Sequence, residues 1–82
     1  MYYLTKIDPQ CNCRRYSLLG VQPTLLGEHC LIRQWGRIGG HMHTRPPEPF
    51  PDAAQAHRQV NRLLQQKLKR GYQLTSDHAQ SP

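Results

Sequence analysis

Long apolar runs, acidic side chains and cysteines are all scarce in this chain of 82 residues. Only 37% of the residues are hydrophobic and the mean hydropathy is −0.77. No stretch approaches the roughly 20 consecutive apolar residues that a transmembrane helix needs. A chain of this length also builds one domain with a modest core, which excludes a multidomain enzyme. We therefore expect a soluble single domain that does not enter a membrane.

The cysteine content and the first residues of the chain indicate a reducing compartment. The three cysteines, Cys11, Cys13 and Cys30, are an odd number and too few for the disulfide framework of a small secreted protein. Residues 1–6 lack the charged start and the apolar stretch of about 7 to 15 residues that a secretory signal requires. The prediction is a cytoplasmic protein with reduced thiols.

Basic residues outnumber acidic ones, eleven Lys and Arg against five Asp and Glu, which gives a net charge of +6. Such an excess favours an acidic partner such as nucleic acid, although solubility alone also explains it. The few acidic residues form no carboxylate pair, and no serine lies in a Gly-x-Ser-x-Gly motif. His29 adjoins Cys30, but neighbours on a strand point to opposite faces. We therefore predict that the chain is not an enzyme.

Cysteines and histidines supply the donor atoms that zinc prefers, so a metal site has to be weighed. The candidate ligands are Cys11, Cys13, Cys30, His41 and His43. Cys-x-Cys is tighter than the Cys-x2-4-Cys spacing of structural zinc sites, and His-x-His only places two histidines on one strand face. We favour ordinary loop and strand residues, and we predict neither a metal nor a cofactor.

Turn signals divide the first half of the chain into short segments with strand character. Asp8-Pro9, Pro23 and the glycine-rich residues 36–40 each interrupt such a segment. The proline-rich residues 46–51 are expected to end the sheet, because a proline has no N–H for a strand ladder. The predicted strands cover residues 2–7, 15–22, 28–35 and, briefly, 41–45.

The second half has the pattern of one amphipathic helix. Asp52 followed by Gln55 has the form of a capping box, and Gly71 suits the left-handed position after the last turn. Apolar residues recur at steps of three and four and require a sheet beneath them. The stripe comprises Ala53, Ala56, Val60, Leu63, Leu64 and Lys67, and the basic residues of the last turn are Lys67, Lys69 and Arg70.

Trp35 is the only tryptophan, and it lies among arginines. Strand alternation places Arg33 and Leu31 on its face, whereas Cys30 and Ile32 point to the other face. A core position is one interpretation of Trp35. The other is a platform for a sugar or base, because Arg33 and the exposed, forked Arg37 of the glycine-rich turn suit phosphate.

The string Arg-Gln-Trp-Gly-Arg-Ile-Gly over residues 33–39 resembles the signature of the WGR domain, which is named for its Trp-Gly-Arg core. Other features agree in order, and the resemblance covers Tyr2 to Tyr72. These features are an aromatic first strand, Tyr16 in the second strand, the Gln-Pro-Thr-Leu-Leu-Gly-Glu connection of residues 22–28, Pro51-Asp52, Ala56 on the helix and the closing Lys-Leu-Lys-Arg-Gly-Tyr of residues 67–72.

The resemblance implies a compact antiparallel sheet with one helix across a face. WGR domains occur in eukaryotic poly(ADP-ribose) polymerases and in many bacterial proteins. In the polymerases the domain binds DNA at strand breaks, where its Trp packs on the sugar-phosphate near the break and its Arg holds neighbouring domains and DNA together. By matching position, Trp35 takes the packing role and Arg37 the bridging role.

Two departures from the family pattern affect these expectations. The chain holds no polymerase catalytic domain, so Arg37 has no domain to bridge to within it and is expected to contact phosphate. The segment of residues 46–51 is richer in proline than the usual final strand of the family. We interpret this segment as a rigid joint, and the alternative is a polyproline II ligand for an aromatic-lined groove.

Together these observations predict an α+β fold, with a small antiparallel sheet of four to five strands and one long helix packed across one face. The WGR-like domain is expected over residues 1–73, followed by a disordered C-terminal tail over residues 74–82.

The predicted function is a non-catalytic module of bacterial DNA repair that recognises DNA ends or nicks. It is expected to act as a monomer, with any catalysis supplied by a protein partner. The alternative is a protein-interaction adaptor that uses the turn over residues 35–40 or the proline-rich joint. The predicted nucleic-acid-binding residues are Arg33, Trp35, Gly36, Arg37, Lys67, Lys69 and Arg70.

Overall fold

A computed structural model describes residues 1–77 of the chain and confirms the predicted α+β fold. Within these residues one long α-helix packs on an antiparallel sheet of six strands, one more than the upper number predicted. The elements are β1 (Tyr2–Asp8), a 3₁₀ helix (Pro9–Cys11), β2 (Cys13–Pro23), β3 (His29–Arg37), β4 (Met42–Thr44), β5 (Glu48–Phe50), α1 (Ala53–Lys69) and β6 (Gln73–Asp77).

The sheet has the strand order β4-β3-β2-β1-β6, and β5 also pairs with β3. β4 and β5 share one edge of β3, because Gln34 to Gly36 pair with β4 and His29 to Leu31 pair with β5. β3 therefore has partners on both sides along most of its length. This central position holds the Trp-Gly-Arg tripeptide inside the sheet.

The prediction that the sheet ends before the proline-rich segment is wrong, because Glu48–Phe50 form β5. The chain can pair with β3 again after the prolines because Pro49 lies in a strand at the edge of the sheet. A proline fits an edge strand where its missing N–H would point away from the neighbouring strand. Phe50 then packs against the core, so part of the proline-rich joint belongs to the folded domain.

The predicted tail also needs a correction, because residues 74–77 belong to β6, which pairs with β1. Leu4 lies opposite Leu74, and the register shifts between Tyr3 and Leu4. Helix α1 ends next to the free edge of β1, so the chain that follows Gly71 can add a strand there. The remainder of the predicted tail, residues 78–82, lies outside the described residues.

Helix α1 begins and ends where the sequence predicts. The Asp52 carboxylate accepts a hydrogen bond from the Gln55 amide at 2.8 Å, which caps the helix start. The Gln55 side chain lies 3.5 Å from the same carboxylate instead of reaching back to the Asp52 backbone as a full capping box would. At the other end Gly71 has a φ of +95°, which lets the chain reverse into β6.

The core lies between α1 and the three central strands. Each of these strands contributes one leucine, and α1 contributes Val60, Leu63 and Leu64 of the predicted stripe together with the fully buried Ala56. Beyond this core the helix-facing side of the sheet becomes polar and cationic toward Arg37. No helix within residues 1–77 has the length and apolar character needed to cross a membrane. The core residues between α1 and these strands are Leu4, Leu19, Leu31, Ala56, Val60, Leu63 and Leu64.

Candidate nucleic-acid interface

An open pocket with a volume of about 500 Å³ lies where the last turn of α1 passes over the sheet beside Trp35. Its basic residues come from separate elements, which the fold brings together. Among the lining residues within the described chain, none is acidic. The lining comprises Lys6, Arg15, Tyr16, Trp35, Gly36, Arg37, His43, Lys67, Arg70 and Tyr72.

Strand alternation explains why these side chains meet. Lys6 and Arg15 are paired across β1 and β2, and Arg15 is paired with Arg37 across β2 and β3. Residues paired across adjacent strands point to the same face of a sheet. Leu31 shows that this is the helix-facing side, since it is four residues from Trp35 on β3 and lies in the core.

Trp35 is half-buried, and the ring of His43 packs beside it. The two ring centroids are 5.9 Å apart with an angle of 22° between the planes. The contact follows from the register of the hairpin, in which Trp35 of β3 is opposite His43 of β4. One side of the indole is thus supported by the protein, and the ring also lines the open pocket.

Arg37 fixes the loop between β1 and β2 to the end of β3. Its guanidinium donates to the Asn12 carbonyl oxygen at 3.2 Å and to the Asn12 side-chain oxygen at 3.4 Å. Asn12 has a φ of 52°, a left-handed conformation that asparagine adopts more readily than most residues. The guanidinium is nonetheless exposed and still lines the pocket, so it is oriented without being enclosed.

Gly36 is required by a close approach of the backbone. A Cβ atom at this position would collide with the carbonyl oxygen of His41, on the returning strand of the hairpin. Gly39 has a φ of +81°, and the amide of Gly40 donates to the Arg37 carbonyl at 2.9 Å, which closes the turn. The glycines therefore shape the hairpin that presents Trp35 and Arg37.

The WGR domain family matches residues 1–79 of the chain, which include the strands and the helix that form this pocket. The chain belongs to the WGR family. WGR domains generally bind nucleic acid and form a non-catalytic family. The Trp-Gly-Arg tripeptide of this WGR domain lines the first pocket, the one beside Trp35 and the last turn of α1, which we call the basic pocket.

One curated relative extends beyond the WGR domain. Uncharacterized protein y4dW of Sinorhizobium fredii (strain NBRC 101917 / NGR234) is 42% identical over 72 residues, which are 85% of this chain and 34% of that protein. The chain thus spans about a third of the length of this relative. No solved structure gives a significant match.

Lys67 is a half-buried cation surrounded by arginines in the WGR domain. Burial lowers its pKa below the ordinary value of 10.5, and the neighbouring Arg70, Arg33 and Arg15 lower it further. Its Nζ lies 4.9 Å from the ring centroid of Tyr72. The crowding of cations around this ammonium group would be relieved by a bound anion.

A second and smaller pocket, with a volume of about 220 Å³, adjoins the first in the WGR domain. Trp35 and Lys67 line both pockets, so the two are separated by these side chains. The additional lining residues of the second pocket are Ser17, Arg33, Gln34 and Arg45.

The WGR domain brings most of the sequence-predicted site residues together. Trp35, Gly36, Arg37, Lys67 and Arg70 line the first pocket, and Arg33 lines the second. Lys69 lines neither of these pockets, because two residues of an α-helix turn through about 200° and place Lys69 on the side of α1 away from Lys67.

The sequence prediction of site residues for the WGR domain missed Lys6, Arg15, Tyr16, His43 and Tyr72 in the first pocket. The signal for Lys6 was present in the strand alternation, because Leu4 marks the core-facing side of β1. The equivalent marker on β2 is Leu19, four residues from Arg15 on the same face.

The cysteines of the WGR domain carry free thiols, with Cys11 exposed and Cys30 buried. The Cys11 thiol lies 3.2 Å from the Asp8 carboxylate, and the Cys13 thiol faces the Lys6 carbonyl. Within residues 1–77 no group of three or more Cys, His, Asp or Glu residues is placed to hold a metal ion.

Proposed function

We propose that this WGR domain binds DNA ends or strand breaks through the pocket around Trp35, without catalysing a reaction itself. The single observation that carries the proposal is the grouping of five cations around one half-buried tryptophan, with no acidic residue among the lining of that pocket in the described chain. An aromatic face among cations suits a sugar or base that is flanked by phosphates. The cations are Lys6, Arg15, Arg37, Lys67 and Arg70.

The preference for ends follows from the position of the tryptophan. Inside an intact duplex each base pair is covered on both faces by its neighbours, whereas the last pair at an end or nick exposes one face and its sugar. Trp35 lies in a pocket and is supported by His43. An indole placed in this way can cover an exposed terminal nucleotide but cannot reach one inside a stack.

Affinity is expected to come mainly from the phosphate backbone, because the pocket offers cations and aromatic rings and few groups that read base edges. About four phosphate contacts predict a slope of roughly −3.6 in a plot of log K against log salt concentration on duplex DNA. A slope of this size would separate backbone binding from a weak contact of a single arginine.

The proposal is tested by fluorescence anisotropy with labelled DNA of one sequence in three forms: nicked, blunt-ended, and closed by hairpin loops at both ends. We expect the chain to bind nicked and blunt DNA more tightly than the closed form. Trp35→Ala should weaken binding to ends more than binding to the closed duplex. If the wild-type chain does not bind nicked or blunt DNA at low salt, the proposal fails.

Adjacent arginines provide a matched pair of variants for the charge contribution. Arg15 points to the helix-facing side and lines the pocket, whereas Arg14 is exposed and points to the other face of β2. Arg15→Gln should reduce affinity and lower the salt slope by about 0.9, the value for one phosphate contact. Arg14→Gln removes the same charge and should leave the slope unchanged.

A protein-interaction module remains the second candidate function, and one observation favours it. The connection between β2 and β3 exposes Leu25 and Leu26, with Leu26 at 87% of full exposure. Leu25 lines a pocket of about 380 Å³ together with Ile32 and with Pro47 of the proline-rich joint. Ile32 and Trp35 point to opposite faces of β3, so an apolar segment of a partner protein could occupy this surface independently of DNA.

The second function is tested by affinity capture after nuclease treatment, with the captured protein identified by mass spectrometry. A partner lost with the double substitution Leu25→Ser and Leu26→Ser, but retained with Trp35→Ala, would support an apolar interaction surface. A partner lost only with Trp35→Ala would instead assign the interaction to the basic pocket.

A further inference from the structure

Two pairs of arginines lie directly opposite each other on neighbouring strands, one pair on each side of Trp35. Arg15 of β2 faces Arg37 of β3. At the other end Arg45 follows β4 in register, and its amide donates to the Arg33 carbonyl at 3.2 Å. Like charges that are directly opposite in a sheet destabilise it. Two uncompensated pairs on one face therefore point to anions that bind there.

The pocket beside the second pair contains the hydroxyl group of a buried serine. Ser17 lines this pocket at only 2% exposure. Ser17 of β2 is opposite Trp35 of β3, so its side chain points to the same face of the sheet as the indole. A buried hydroxyl beside several cations is a suitable hydrogen-bond donor for an anion.

We propose that Arg33, Arg45, Lys67 and Ser17 form a second phosphate subsite on the opposite side of Trp35 from Arg37. The ligand would be a nucleic-acid strand whose phosphates lie on both sides of the nucleotide that contacts Trp35. This proposal rests on the proposed function for the identity of its ligand. It adds Ser17 and Arg45, which neither the family signature nor the first pocket includes.

The geometry of β3 supports two subsites and not one enlarged site. Arg33 and Arg37 are four residues apart on the same face, which separates their Cα atoms by about 13 Å. Trp35 lies between them and lines both pockets, as does Lys67. One phosphate cannot bind both arginine pairs at this separation unless the long side chains fold over the indole. Two phosphates of one strand, one on each side of the nucleotide at Trp35, can each bind one arginine pair.

The main test compares Arg45→Gln and Ser17→Ala with Arg62→Gln, whose arginine is exposed on α1 and lines neither pocket. Anisotropy titrations with nicked duplex are repeated at several salt concentrations. Arg45→Gln should lower affinity and reduce the salt slope by about 0.9, because one phosphate contact is lost. Ser17→Ala should lower affinity about 2- to 10-fold without changing the slope, because an uncharged hydrogen bond is lost. Arg62→Gln should change neither quantity.

A structural role for these residues would give a different result. Arg45 is exposed, and its removal relieves the repulsion from Arg33, so Arg45→Gln should unfold at the same or a higher denaturant concentration than the wild type. If Arg45→Gln and Ser17→Ala both bind nicked duplex like the wild type, with an unchanged salt slope, the second subsite does not exist.

A titration with inorganic phosphate separates this proposal from the proposed function. In ¹H–¹⁵N NMR spectra of the full chain, phosphate should shift the amide signals of Ser17, Arg33 and Arg45, and Arg45→Gln should abolish those shifts. If the wild type does not bind DNA but shows these shifts, the proposed function fails and the anion site stands. DNA binding without any shift at Ser17 or Arg45, with phosphate or with DNA, would overturn the subsite alone.

Discussion

The rings of Trp35 and His43 lie on neighbouring strands and stack with their centroids 5.9 Å apart. His43 thus packs against one side of the indole. We expect His43→Ala to lower affinity for nicked DNA about 2- to 10-fold, because an aromatic pair contributes about 0.5–1.5 kcal/mol beyond area burial. The anisotropy assay measures this loss.

The neighbouring His41 provides the control for the histidine prediction. It is exposed and does not line the pocket, so His41→Ala should bind DNA like the wild type. Trp35 is the only tryptophan, and its fluorescence should change with His43→Ala and not with His41→Ala. Equal affinities for the two variants would show that His43 does not support the indole during binding.

A second prediction concerns the central glycine of the Trp-Gly-Arg tripeptide. Gly36→Ala should destabilise the chain by about 1–3 kcal/mol, because the added methyl group meets the His41 carbonyl oxygen of the paired hairpin. Gly40→Ala is the matched control, since its Cβ would meet no atom closer than 3.4 Å. Urea denaturation compares the two. A larger loss for Gly40→Ala would contradict the close-approach argument.

The helix and the general arrangement of the sheet were predictable because local signals and tertiary packing agree there. Asp52 and Gly71 mark the two ends of α1, and the periodic apolar residues between them have a single face to bury. β5 was missed because four prolines in residues 46–51 argue against a strand, and only an edge position next to β3 permits Pro49.

The candidate site was predictable only in part, because its two halves come from distant parts of the chain. Trp35 and Arg37 are close in sequence and carry a recognisable signature. Lys6 and Arg15 join them only through the register of β1 with β2 and of β2 with β3. Alternation alone leaves the register open, and a shift by one residue would turn Arg15 to the other face.

A third prediction tests the start of α1 separately from binding. Asp52→Ala should destabilise the chain by about 1 kcal/mol, because the Gln55 amide loses its 2.8 Å hydrogen bond. Asp52→Asn should restore most of the stability, since asparagine is also a good N-cap residue. Both variants should bind nicked DNA like the wild type at temperatures where they are folded, because Asp52 lines neither basic pocket. Loss of binding with a normal urea midpoint would contradict this separation.

A fourth prediction is that Lys67 weakens folding and strengthens binding. Its pKa is lowered in the folded chain, chiefly by burial, so the folded state holds this proton less tightly than the unfolded state. The contribution of Lys67 to the free energy of unfolding is therefore unfavourable at neutral pH. This unfavourable contribution decreases as pH rises from the lowered pKa to 10.5, because the folded state loses the proton first. Lys67→Met should raise the urea midpoint at pH 7.

The same substitution should weaken binding to nicked DNA by about tenfold, because a charge-assisted contact to phosphate is lost. A bound phosphate favours the protonated lysine, so wild-type affinity should fall as pH rises toward the lysine pKa, and Lys67→Arg should reduce this fall. Lys69→Met removes an equal charge outside both pockets and should leave affinity nearly unchanged. If Lys67→Met lowers the urea midpoint, or if Lys69→Met weakens binding as strongly, then Lys67 does not have the opposing effects that its crowded position predicts.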